Sequence, residues 1–216
     1  MSQPFDRSAR VNQPANLDPT LGEWWVDNPW DIARKGHNLS AYERKRVFLN
    51  VRGPEGDRDF VDISALTRAD GDGDGRSVVA GDFRNNGQLD LVVRQVGGGP
   101  LLLYENRFPH KHYLEVSLRG HRSNREGIGA RVTAYVQGRQ IVRELYPANS
   151  FSSQMPHMVH LGLANDTKVD KLVVRWPSGK VQELANLAAD RHVIIDESRS
   201  GAQAVETITP GQVIQP

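Results

Sequence analysis

Turn residues interrupt this chain every few positions. Apolar runs of strand length stop at Gly, Pro, Asn or Asp, and helical periodicity is almost absent. A first series of predicted strands covers residues 47–51, 59–64, 77–82, 89–94 and 101–105. A second covers 113–118, 130–136, 140–145, 158–163, 171–176, 180–184 and 192–196. Gln137-Gly138-Arg139 and Pro177-Ser178-Gly179 read as hairpin turns. Such a chain buries its apolar faces by stacking or curling sheets, so the expected fold is all-β: an antiparallel β-sandwich or a partly open barrel. Residues 38–44 read as one helical turn, 186–190 as a short helix or turn, and 205–208 as an added edge strand.

Composition narrows the function classes. The net charge is +1, with basic and acidic residues interspersed. No basic stripe tracks a phosphate backbone, so nucleic acid is not an expected partner. No apolar run reaches the ~20 residues that span a bilayer, and membrane insertion is not expected. The first residues carry no apolar signal core, which makes cytoplasm the default compartment, or the extracellular space if residues precede Met1 in the natural protein. There is no cysteine, hence no thiolate metal site and no Cys nucleophile.

The loop from Gly81 to Asp90 carries the clearest chemical signal. Its spacing follows the acidic pattern D-x-[DN]-x-[DN]-G-x-x-D, in which alternate oxygens converge on a hard cation and a Gly makes the turn. Arg84 stands where a third oxygen belongs. Two readings follow: a loop that holds calcium, or a turn in which the Arg84 guanidinium fills the site as an internal cation paired with Asp82 and Asp90. A second loop, Asp70-Gly71-Asp72-Gly73-Asp74-Gly75, repeats the oxygens but lacks a closing carboxylate. Asp70, Asp72 and Asp74 are weaker candidate ligands, against the reading of a solvated turn.

Trp24, Trp25 and Trp30 place three of the four tryptophans in one segment near the start. They either cover the chain's own sheet or present a contact surface, since Trp supplies large area at low entropy cost. Of the seven histidines, the nearest neighbours form only pairs, His110 with His112 and His157 with His160, short of the three ligands a zinc site needs. No nucleophile elbow, P-loop or dinucleotide fingerprint occurs.

Three motifs occur in order: Ser123-Asn124-Arg125-Glu126-Gly127-Ile128-Gly129-Ala130-Arg131-Val132, then Ser152-Ser153-Gln154 with His160-Leu161-Gly162-Leu163, then Val174-Arg175-Trp176-Pro177-Ser178-Gly179. With these, the stretch from about 113 to 197 resembles the ASPIC/UnbV domain family. The stretch from 48 to 105 resembles a single FG-GAP or VCBS-type repeat. The organisation expected is an arm over 1–45, the repeat over 46–107, the ASPIC/UnbV-like domain over 108–198 and a tail over 199–216. The repeat resemblance implies calcium at Asp82, Asn86 and Asp90 with the Gln88 carbonyl. The domain resemblance implies a polar site at Asn124, Arg125 and Arg131. The function expected is a non-catalytic binding or assembly module for protein or carbohydrate. The alternatives are a small metal-assisted enzyme and a self-assembling chain that forms homo-oligomers.

Overall fold

The computed structural model describes residues 16–18, 20, 44–52, 58–71, 73, 75–95, 100–146, 148–151 and 153–208. Trp24, Trp25, Trp30, Asp72 and Asp74 lie outside the described residues, as does the helical turn expected over 38–44 up to Arg44. Among the described residues the fold is mostly strand, with several sheets and no closed barrel.

The chain divides into two compact units. The first comprises Met1–Val78 and Val93–Leu102, the second Val79–Val92 and Leu103–Pro216. In the first, β1 (Phe48–Arg52) and β2 (Arg58–Asp62) form an antiparallel ribbon, followed by one helical turn, Ser64–Thr67. Strands β3 (Gly75–Gly81), β4 (Asp90–Gln95) and β5 (Leu102–Tyr104) form a sheet in that order.

The second unit holds a sandwich of two four-stranded sheets. In one, β6 (His112–Arg119) lies between β11 (Met158–Ala164) and β14 (Arg191–Asp196), and β15 (Val205–Ile208) closes the edge. The other has the order β13 (Val181–Ala188), β12 (Lys168–Arg175), β7 (Arg131–Val136), β8 (Arg139–Glu144). Two short strands, β9 (Ala148–Ser150) and β10 (Ser153–Gln154), pair between β8 and β11. Period-two alternation sends Leu114, Val116 and Leu118 of β6 and Val132, Ala134 and Val136 of β7 into one shared core. Val159, Leu161 and Leu163 join from β11, and Leu172 and Val174 from β12. Burial of these side chains is the main stabilising term, at roughly 1.5–3 kcal/mol each.

The all-β sandwich forms as expected, and one pairing within it, β14 with β6, is parallel. Parallel neighbours need a crossover connection, and here the other sheet is built within it. Residues 186–190 are neither helix nor simple turn: β13 runs on to Ala188, with Asn186 at φ 54° and Asp190 at φ 59°. Asn and Asp tolerate the left-handed region better than other side chains. The edge strand over 205–208 forms as expected. At the β7–β8 hairpin, Gln137 and Gly138 both have positive φ, the turn whose twist matches paired strands.

Candidate functional site

Asp82 organises the acidic loop. Its Oδ1 accepts from the backbone N–H of Arg84 at 3.2 Å and of Asn86 at 3.0 Å, and its Oδ2 accepts from Gly87 N–H at 2.5 Å. Asn86 Oδ1 accepts from Gln88 N–H at 3.0 Å. The Gln88 side chain donates from Nε2 to Phe108 O at 2.6 Å and accepts from Asn86 Nδ2 at 3.5 Å. These bonds fold the turn with the chain's own donors.

Asp90 is buried, 2% exposed. Arg84 Nη2 donates to its Oδ1 at 3.1 Å, and Asn106 N–H donates to the same oxygen at 2.8 Å. Arg84 also reaches Glu105 Oε1 at 2.5 Å and Asn106 O at 2.8 Å. Burial works to raise the Asp90 pKa, but the Asn106 amide and the guanidinium outweigh it and hold the carboxyl below its ordinary value. Arg84 therefore bridges Asp90 and Glu105. Asp82 meets only its backbone N–H.

The second acidic loop is organised similarly. Lys45 Nζ donates to Gly71 O at 3.2 Å and Gly73 O at 2.6 Å, and Arg44 Nη1 donates to Asp70 Oδ2 at 2.7 Å. In both loops a basic side chain sits on oxygens that the sequence pattern offers to an ion. Among the described residues, no three His, Cys, Asp or Glu side chains converge as a metal site.

The 82–90 loop is fixed to the outer face of β6 and β11. His160 Nε2 lies 2.9 Å from Gly87 O, so that nitrogen carries the proton and donates. Tyr113 stacks on the His160 ring at 5.8 Å between centroids, with 1° between planes. Gly87 has φ +81°, and a Cβ there would lie 2.0 Å from Tyr113 Cε1, so only glycine lets the loop approach this closely.

Beside this contact a cross-strand row runs His160–Glu115–His192, the pairs set by the β11–β6 and β6–β14 registers. Glu115 is 7% exposed and its Oε1 has no hydrogen-bond partner. Burial, and then the Asp82 charge, push its pKa up to about 7. Burial lowers both histidines, at His160 against the opposing pull of the Gly87 carbonyl and Asp82. His192 Nε2 lies 2.8 Å from Ser117 Oγ.

A groove of about 400 Å³ opens nearby, lined by Asn86, His110, Lys111, His112, Asn165 and Asp190 among others. His112 Nδ1 donates to Asp190 Oδ2 at 2.7 Å, and Lys111 Nζ to Asn165 Oδ1 at 2.9 Å. No Ser or Thr hydroxyl lines it.

The motif residues are committed to each other. Glu197 Oε2 accepts three backbone N–H bonds, from His121 at 2.6 Å, Arg122 at 2.8 Å and Ser123 at 2.9 Å. Its Oε1 accepts the hydroxyls of Ser123 at 2.8 Å and Ser178 at 2.6 Å. Burial opposes ionisation, but these donors outweigh it and hold Glu197 far below the usual carboxylate range. Asn124 clamps Ile128 through both its side-chain groups, at 2.7 and 2.8 Å. Gly127 has φ +67°, and a Cβ there would press to 2.7 Å from Leu118 Cβ. Next to this clamp, the buried Trp176 indole donates to Gln182 Oε1, and Gln182 Nε2 donates to Asp196 O at 2.9 Å and Arg199 O at 2.8 Å.

Of the residues the sequence singled out, Arg125 is exposed, and Arg131 pairs with Glu144 at 2.8 Å on the face of the other sheet. Asn124, Arg125 and Arg131 therefore do not act as one cluster through any described bond. Sequence reasoning did not single out Glu115, Glu197 or Lys45. Each is one acid or amine among many, and its role comes from partners on distant segments.

The ASPIC and UnbV family profile matches residues 120–202. That span contains the Glu197 clamp and all the motif residues within it. No curated protein matches the chain.

Proposed function

We propose that the chain is a non-catalytic, β-rich binding or assembly module for protein or carbohydrate contacts, whose 82–90 loop is held by Arg84 rather than by calcium. The observation that carries the first part is the commitment of the motif side chains. Ser123 and Ser178 spend their hydroxyls on Glu197, and His160 spends its proton on Gly87 O. A nucleophile needs an effective base within reach, and the acceptor of both hydroxyls, Glu197, is held far below the usual carboxylate range and is a weak one. On this reading residues 46–107 are one FG-GAP or VCBS-type repeat that keeps the turn and has exchanged the ion for a guanidinium. An array of glycans together with pull-down of proteins tests the module. Saturable binding without turnover supports it; turnover with no retained partner overturns it.

Self-assembly has its own supporting observation. The β1–β2 ribbon leaves Phe48 56% and Phe60 60% exposed, and isolated two-stranded ribbons are marginal in water. Light scattering on the same preparation reads assembly directly.

The loop is tested by calcium titration with a thermal-shift readout. The native chain is expected to show no calcium-dependent rise in Tm. Arg84→Asp restores the third oxygen and removes the competing charge, so it is expected to gain such a rise, since an ion that binds only the folded state stabilises it. A calcium-dependent rise in the native chain at micromolar metal overturns the internal-cation reading.

A further inference from the structure

The outer face of β13-β12-β7-β8 carries Arg131, Arg175 and Lys171 against Glu144 and Glu183, and Glu183 meets Lys171 at 4.0 Å. Register places Arg131 of β7 directly opposite Arg175 of β12, with Glu144 on the far side of Arg131 and Val181 on the far side of Arg175. Like charges directly opposite one another repel. Glu144 answers Arg131, with contacts of 2.8 and 3.1 Å. No hydrogen bond or ion pair among the described residues engages the Arg175 guanidinium.

The parallel row four residues along is Gln140–Tyr135–Lys171–Ala185. The Lys171 ammonium lies 4.7 Å from the Tyr135 ring centroid, and Gln140 Nε2 donates to the Tyr135 hydroxyl at 3.3 Å. Between the rows, Thr133 and Val173 are short and form a floor. The result is a groove of about 290 Å³ with guanidinium groups on one side and a phenol and an amide on the other.

We propose that this groove binds an acidic saccharide, with Arg131 and Arg175 holding its carboxylate or sulfate and Tyr135, Gln140 and Thr133 facing its hydroxyls. The inference rests on the binding-module reading. Arginine forks match planar carboxylates and sulfate oxygens bidentately. An extended peptide is disfavoured, because β7 and β12 are central strands whose backbone groups are spent on their neighbours, and peptide recognition by strand addition needs an open edge.

The test is calorimetric titration of the full chain with a galacturonate oligomer, a sulfated heparin hexasaccharide, neutral maltohexaose and poly-glutamate. At least one acidic saccharide is expected to bind, with the first two arms separating carboxylate from sulfate. Arg175→Gln is expected to weaken it tenfold or more, and Tyr135→Ala similarly. Arg107→Gln, an exposed arginine outside the groove, is expected to leave it unchanged. Maltohexaose is expected not to bind. Equal affinity in Arg175→Gln, or tighter binding of poly-glutamate than of either saccharide, overturns the proposal. Absence of acidic-saccharide binding in a chain that retains another partner overturns this site and leaves the module reading standing.

Discussion

Glu197→Ala is expected to lower the stability of the sandwich by about 4 kcal/mol. The carboxylate satisfies three backbone N–H groups and two hydroxyls, and it is only 2% exposed. Removing it orphans the donors of the 121–123 turn and unties that turn from the 177–179 hairpin. In a chain of this size the melting temperature should fall by roughly 10 °C. Glu197→Gln is the informative companion. Its remaining oxygen can serve the three N–H groups, and its amide can turn to the two hydroxyls, which rotate to accept. It should therefore lose only about half as much, the share owed to the charge. A melting temperature within about 2 °C of the native chain for Glu197→Ala would show that water replaces the carboxylate and that the clamp is decorative. The same geometry sets the acid limb. Asp196 is held at about 2, where burial is outweighed by the Ser198 donors and His121, and Glu197 lies lower still. Both are depressed below their ordinary values of 3.8 and 4.5, so the stability they contribute is present above those values and lost as pH falls through the folded ones.

Glu115→Gln should do the opposite and stabilise the chain at alkaline pH. Glu115 has a raised pKa of about 7 against an ordinary 4.5. Its protonated form suits the fold, so its contribution is fully present below 4.5 and is lost as pH rises through 7. At one pKa unit per ~1.36 kcal/mol the penalty for ionising it in the fold is on the order of 3 kcal/mol. An amide avoids that penalty while still lacking a partner, so a net gain of about 2 kcal/mol is expected at pH 8 and almost none at pH 5. The groups around it sharpen the test. Asp82 raises it further, Tyr113 is itself raised by burial and then by the Glu115 charge, and Arg143 acts on His160. His160 and His192 are depressed, so their contribution is lost as pH falls below 6.5. In Glu115→Gln the slope of stability between pH 5 and 7 should therefore turn upward, carried by the histidines alone. Parallel melting curves of the two proteins across that range would sink the assignment.

The strands were legible because their periodicity and turns are local properties. Gln137-Gly138 and Pro177-Ser178-Gly179 announce hairpins whatever lies around them. The β6–β14 pairing was not legible, since nothing local to 112–119 names a partner at 191–196. The same limit hid the candidate sites. Alternation in β6 puts Glu115 on the polar face of its strand, which reads as a solvated acid. It is buried, beside a loop from residues 82–90 anchored to that face through Gly87 and His160. Arg84 was visible as a misfit in the acidic pattern, and its partner Asp90 with it, but the bond to Glu105 joins segments that no motif connects. Lys45 lies far from the loop whose carbonyls it takes.

The parallel β6–β14 pair also fixes the order in which this chain can be completed. β6 is a central strand, and its neighbour on one side is separated from it by the whole of the opposing sheet. A growing or refolding chain must hold Leu114, Val116 and Leu118 without that neighbour until residues 191–208 are available. Contacts so distant in sequence slow folding and leave strand edges open meanwhile. Chaperone dependence and aggregation during synthesis should therefore track events at β14 and β15, well after most of the core residues have been made.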